Sequence, residues 1–161
     1  MAITGTTTNY TGRLKDILIL GVIDPLETDA QPCSLSFGKP SRFCAGIQKL
    51  CQRYLITLLT ETNSQVSYSD FGTSLLTQLR KRNNSLSSTD FEHLFNVSNL
   101  VALNLLREFQ SQNPDLPLDE QISTAKMNDF YIEKDTVYIK IELSTKQEEF
   151  RGFQNFETLI Y

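Results

Sequence analysis

Residues 46–76 read GIQKLCQRYLITLLTETNSQVSYSDFGTSLL. Ile47, Leu50, Cys51, Tyr54, Leu55, Leu58 and Leu59 recur at spacings of three and four. That period lays one apolar stripe along a helix, with Gln48, Lys49, Gln52 and Arg53 mostly off it. Ser41, just after Pro40, is the expected N-cap, and the stripe predicts roughly four to five turns. TETNSQ (60–65) supplies side chains that compete for backbone hydrogen bonds, so the helix is expected to stop near Glu61. VSYS (66–69) alternates apolar and polar residues and reads as a short extended link. A second helix is expected to start at Ser69 or Asp70. Phe71, Leu75 and Leu79 form its buried line, and RKRNN (80–84) ends it.

On the N-terminal side, residues 1–15 are rich in Thr and Gly and read as a loose arm. DILILGVID (16–24) has the β-branched apolar run of a strand, stopped by Pro25. Residues 25–40 hold three prolines and many small polar residues and read as an extended loop. On the C-terminal side, TDFE (89–92) is a capping-box pattern that predicts a third helix opening at Thr89. Phe91, Leu94, Phe95, Val101, Leu105 and Phe109 follow helical spacing, and Pro114 and Pro117 close the helix. The period then changes. DTVYIKIELS (135–144) puts Val137, Ile139, Ile141 and Leu143 on one face and Tyr138, Lys140, Glu142 and Ser144 on the other. MNDFYIEK (127–134) reads as its partner strand through a turn at Lys134 and Asp135. EFRGFQNFETLIY (149–161) is a further strand-like segment, within a tail taken as 146–161. Helices grouped ahead of strands predict an α+β fold: about three helices packed on a small antiparallel sheet made by the C-terminal meander, with an N-terminal strand.

The chain has 161 residues, 40% of them hydrophobic, enough for one domain with its own core. A net charge of −4 leaves no basic surplus to neutralise phosphates, which argues against a nucleic-acid binder. No apolar run approaches the roughly 18–20 residues of a membrane span. The opening MAITGTTTNYTG lacks the charged start and apolar core of a signal peptide. Three cysteines (Cys33, Cys44, Cys51) in no CxxC pair fit free thiols in a chain made in the cytoplasm. Cys51 falls on the apolar stripe and reads as core.

Chemistry is sparse. His93 is the single histidine, so no His-rich metal site can form, and no carboxylate is spaced to orient it as a base. The glycines are dispersed and form no phosphate-binding loop. Glu61 and Asp70 are the carboxylate pair that a glycosidase would need. Asp70, however, is accounted for by capping at a helix start. No catalytic residue, cofactor or metal is expected.

The passage from the leucine-rich LLT at 58–60, through the polar turn and the aromatic link, to the Phe-Gly step at 71–72 resembles the gene-25-like/W-like baseplate wedge family of contractile-tailed phages. Members also recur in contractile injection systems, including the type VI secretion baseplate. The order of the later elements, a helix and then a terminal meander, is similar too, and the resemblance spans roughly residues 42–145. It implies a structural virion protein, a wedge or sheath-initiator subunit that joins the wedge proteins to the first ring of the sheath. The implied location is the tail baseplate. The implied partners are other wedge proteins, the arms of the sheath protein and, as a further candidate, the tail tube or hub, in a six-fold assembly. Many members carry a Gly-Glu-Arg or Glu-Pro-Arg segment in the turn where this chain has Asn63, Ser64 and Gln65, so that contact does not transfer. The alternatives are a tail-associated glycosidase using Glu61 or another carboxylate, and an adaptor in a cellular injection machine.

An assembly protein needs faces more than pockets. The partner-binding candidates are the turn residues Glu61, Asn63, Ser64 and Gln65, the step Asp70, Phe71 and Gly72, and Val137, Ile139 and Ile141 on the alternating strand. An unpaired strand edge is a template for another chain's strand. The polar side chains of the first helix, Gln48, Gln52 and Arg53, are a second possible contact surface. Gly72 is expected to let two backbones approach closely.

Overall fold

The computed structural model describes residues 14, 16–17, 43–81, 87–133, 136–147 and 150–159. The element order is β1 (Asp16–Ile17), β2 (Phe43–Cys44), α1 (Ile47–Leu59), α2 (Leu75–Lys81), α3 (Ser88–Gln112), a 3₁₀ turn (Leu118–Glu120), β3 (Ile122–Glu133), β4 (Thr136–Thr145) and β5 (Phe150–Leu159). The fold is α+β, as the segregation of helical and alternating segments predicts.

Helix α1 starts later than expected. Phe43 and Cys44 are extended and pair antiparallel with Ile17 and Asp16, and Ser41 lies outside the described residues. Gly46 precedes the helix with φ 59°, ψ −140°, a conformation open to glycine. Its N–H donates to Glu120 Oε1 at 3.2 Å and its carbonyl accepts from Leu50 N–H. The start is therefore set by a carboxylate 74 residues away, which local capping rules do not see. The stop is local: Thr60 turns extended, and both its N–H and its hydroxyl donate to the Ile56 carbonyl.

The remainder of the predicted strand over 16–24, and the loop over 25–40, lie outside the described residues, as does the arm apart from Leu14. Helix α2 begins at Leu75 rather than near Asp70, because Thr73 is held to the end of α1 by hydrogen bonds to the Thr60 and Leu58 carbonyls. Leu75 and Leu79 are buried as expected, whereas Phe71 is only half-buried and lies outside the helix. Helix α3 is capped by Ser87, not by Thr89 and Glu92. The Ser87 hydroxyl oxygen accepts from Asp90 N–H and donates to the Asp90 carboxylate at 2.7 Å. Phe91, Leu94 and Phe95 are buried as the spacing predicts, and the buried face continues through Ser98, Asn99, Ala102 and Leu106, leaving Val101 exposed.

The sheet has the order β3-β4-β5, all antiparallel. Strand β3 starts at Ile122, five residues before the expected segment, with register shifts at 122–124 and 127–129 that break its alternation. On β4, Val137, Ile139, Ile141 and Leu143 all point into the core, against Leu50, Tyr54, Phe91, Phe95 and Leu106 from the helices. Each such side chain contributes about 1.5–3 kcal/mol through burial. Across the sheet's other face, Lys140 is exposed, Glu142 pairs with Lys126 at 3.1 Å, and Tyr138 stacks on Tyr131 at 4.4 Å. Ser144, on that same alternation, is nevertheless buried, sharing a 2.6 Å hydrogen bond with Thr124.

Two polar arrangements tie α1 to later parts of the chain, one reaching the sheet and one the 3₁₀ turn. Tyr54 Oη donates to Asn99 Oδ1 at 2.7 Å, and Asn99 Nδ2 donates to the Ala125 carbonyl at 2.8 Å. Burial pushes the Tyr54 phenol well above its ordinary pKa. Lys49 Nζ meets Glu120 Oε2 at 2.9 Å, with side chains only 13% and 4% exposed.

Candidate functional site

Seven of the ten sequence-derived contact residues fall on one loop, residues 60–74, between α1 and α2. The loop is closed at its base by two backbone bonds, Thr73 N–H to Thr60 O at 2.8 Å and Thr62 N–H to Thr73 O at 3.2 Å. Asn63 N–H reaches across to Ser69 O at 2.8 Å. Thr73 adds a side-chain tie, donating from Oγ1 to Leu58 O at 2.6 Å and accepting from Leu75 N–H. Gly72 makes the closure possible. Its φ is +103°, and a Cβ there would stand 2.3 Å from the Thr60 carbonyl oxygen. Asn63 takes a left-handed φ of 67°, which asparagine tolerates.

Within this frame, Asn63, Ser64, Gln65 and Asp70 are exposed. Ser64 N–H donates to Glu61 O, and Gln65 O accepts from Tyr68 N–H, so the tip is a pair of tight turns. Glu61 is half-buried and its carboxylate pairs with Arg80 of α2. Asp70 accepts from Ser69 Oγ at 3.3 Å. The two side chains that stand out most from the loop are ones sequence reasoning treated as link: Val66 is fully exposed and Tyr68 is 71% exposed. An apolar side chain and an aromatic one thrust into water from a hydrogen-bonded loop were signalled by VSYS itself, whose alternation belongs to no strand.

Val137, Ile139 and Ile141 are not part of this site. They sit on β4, the central strand, with β3 on one side and β5 on the other, and their side chains are buried. The edge positions of the sheet are β3 and β5; β4 has none to offer. Gln52 is likewise withdrawn from the surface. It is 1% exposed, and its amide donates to the Ile17 carbonyl at 2.9 Å. Gln48 and Arg53 are half-buried.

Beside the loop runs an open groove of about 570 Å³, walled by Tyr68 and Phe71 from the loop, Arg53 and Thr57 from α1, and Leu105 and Phe109 from α3. The Arg53 guanidinium lies 4.3 Å from the centre of the Phe109 ring. Burial lowers the pKa of this guanidinium, with the fields of Glu120 and Asp16 opposing the shift. A second cleft, of about 330 Å³, lies between α3 and the start of β3, with Arg107 and Lys146 on its walls.

Among the described residues no group of three or more His, Cys, Asp or Glu side chains is placed to hold a metal ion. His93 is exposed on the second turn of α3. Cys44 and Cys51 are buried free thiols, and burial, then the charge of Asp16, raises the Cys44 pKa. Among the described residues no helix is long and apolar enough to cross a membrane. No protein-family model, no curated protein and no solved structure matches this chain.

Proposed function

We propose that the chain is a structural subunit of a contractile tail, a baseplate wedge or sheath-initiator protein that links wedge proteins to the first sheath ring through strand addition. The reading rests on the resemblance of residues 42–145 to the baseplate wedge family. The observation that carries it further is the place of the last strand. β5 is ten residues long and has a neighbour on one side only, β4, so among the described residues its other edge has no partner strand. Such an edge extends by main-chain hydrogen bonding to a strand from another chain, and natural proteins otherwise blunt or cover it. The loop 60–74, with Val66 and Tyr68 outward, is a second face set on the helices, suited to a wedge neighbour. The role needs no catalytic residue.

The test is electron cryo-microscopy of contractile particles that contain the chain. The expected result is six copies between the wedges and the first sheath ring, each with a sheath-protein strand hydrogen-bonded along β5. Truncation before Phe150 is expected to leave helical circular dichroism in place and to stop sheath assembly. Normal sheathed tails from the truncated chain, or density for the chain elsewhere in the particle, would overturn the reading. Particles in which Glu61→Gln abolishes glycan cleavage would point to an enzyme instead.

A further inference from the structure

The groove beside the loop contains a cation whose donors meet no acceptor among the described residues. Arg53 projects from α1, half-buried, with its guanidinium carbon over the Phe109 ring. Its guanidinium makes no hydrogen bond or ion pair to any described residue. A guanidinium has five N–H donors in a fixed fork, and stacking on a ring uses its face and leaves the edges free. Around it stand apolar side chains: Tyr68 and Phe71 on the loop side and Leu105 on the α3 side. The groove's carboxylates, Asp70 and Glu108, are exposed on its rim and well hydrated, so they act weakly on a group at the floor. They do, however, disfavour a run of negative charge.

We propose that this groove is the docking site for a segment of a partner protein that sets one carboxylate side chain on Arg53 between two apolar side chains. The carboxylate supplies bidentate, charge-assisted hydrogen bonds, which the guanidinium makes to none of the described residues. The flanking apolar groups cover Tyr68, Phe71 and Leu105. Because the cation is already partly stripped of water, pairing it costs less than pairing a fully solvated one, and the gain is larger in the groove than on open surface. The rim acids select a lone acid in an apolar setting over a polyanion such as nucleic acid. This inference stands apart from the baseplate reading, since it needs only a protein partner.

The test is NMR titration of the isotope-labelled full chain with three capped tripeptides: acetyl-Phe-Glu-Leu-amide, the same peptide with Gln at the centre, and the same with Lys. The expected result is that the Glu peptide shifts the Arg53 side-chain Nε–H and the amides of Phe71 and Glu108 saturably. The Gln peptide is expected to bind roughly fivefold or more weakly, and the Lys peptide not at all. Arg53→Gln is expected to abolish the preference for Glu over Gln. Equal binding of the Glu and Gln peptides by the wild-type chain overturns the proposal. So does the absence of saturation by about 10 mM peptide, or a set of shifts away from the groove. None of these results bears on whether β5 accepts a sheath strand, so the two readings fail separately.

Discussion

Gly72 and the Thr60 carbonyl touch: a Cβ at position 72 would lie 2.3 Å from that oxygen, and the glycine holds φ +103° to keep the approach. The contact sits between the last turn of α1 and the first of α2, next to the Thr73–Thr60 hydrogen bond. Gly72→Ala meets both a backbone overlap and a left-handed conformation. It is expected to destabilise the fold by about 2 kcal/mol or more. Urea unfolding measures it directly, and a cost under about 0.5 kcal/mol would mean that the loop closes differently.

The bond from Tyr54 to Asn99 makes a pH-dependent prediction. Burial disfavours the phenolate, so the folded pKa lies above the unfolded value near 10. The stabilisation this gives is full below pH 10 and is lost as pH rises, because the unfolded chain releases its proton first. The slope is about 1.4 kcal/mol per pH unit. Tyr54→Phe removes that slope and leaves Asn99 Oδ1 without its donor, costing about 1–2 kcal/mol at neutral pH. The stability difference between wild type and variant should therefore shrink above pH 10. A difference constant from pH 8 to 11 would contradict the burial of Tyr54.

Lys49 and Glu120 form an ion pair that is nearly closed to solvent, at the point where Glu120 also holds the Gly46 N–H. Lys49→Met strands a buried carboxylate and is expected to cost about 3 kcal/mol. Adding Glu120→Gln removes both charges and keeps an acceptor for Gly46. The double variant should thus be more stable than Lys49→Met alone. Additive losses in a double-mutant cycle would show that the pair is not coupled.

Ser98 is buried in the middle of α3, and its hydroxyl has no hydrogen-bond partner among the described residues. A buried unpaired hydroxyl is destabilising, and serine is a poorer helix former than alanine. Ser98→Ala is expected to raise stability by about 1 kcal/mol, seen as a higher midpoint in thermal or urea unfolding. A loss of stability would mean that the hydroxyl has a partner, such as a bound water.

Periodicity determined what this protein is made of. The stripe from Ile47 to Leu58 and the alternation from Val137 to Leu143 identify a core helix and a core strand, because a side chain's face follows from its position along a regular backbone. The order of helices before strands was enough for the α+β class. The start of α1 and the withdrawal of Gln52 from the surface were settled by contacts distant in sequence. Gly46 opens α1 because Glu120 takes its N–H, and Gln52 leaves the surface because the Ile17 carbonyl takes its amide. Val137, Ile139 and Ile141 moved from expected edge to centre because β3 and β5 both pair with β4. The groove was hidden for the same reason. Arg53, Phe71 and Phe109 belong to three different segments, and no local pattern states that folding brings a cation, two rings and a loop together. A hydrophobic period is set by the geometry of one element, whereas a site is set by how several elements pack, and only the folded chain specifies that.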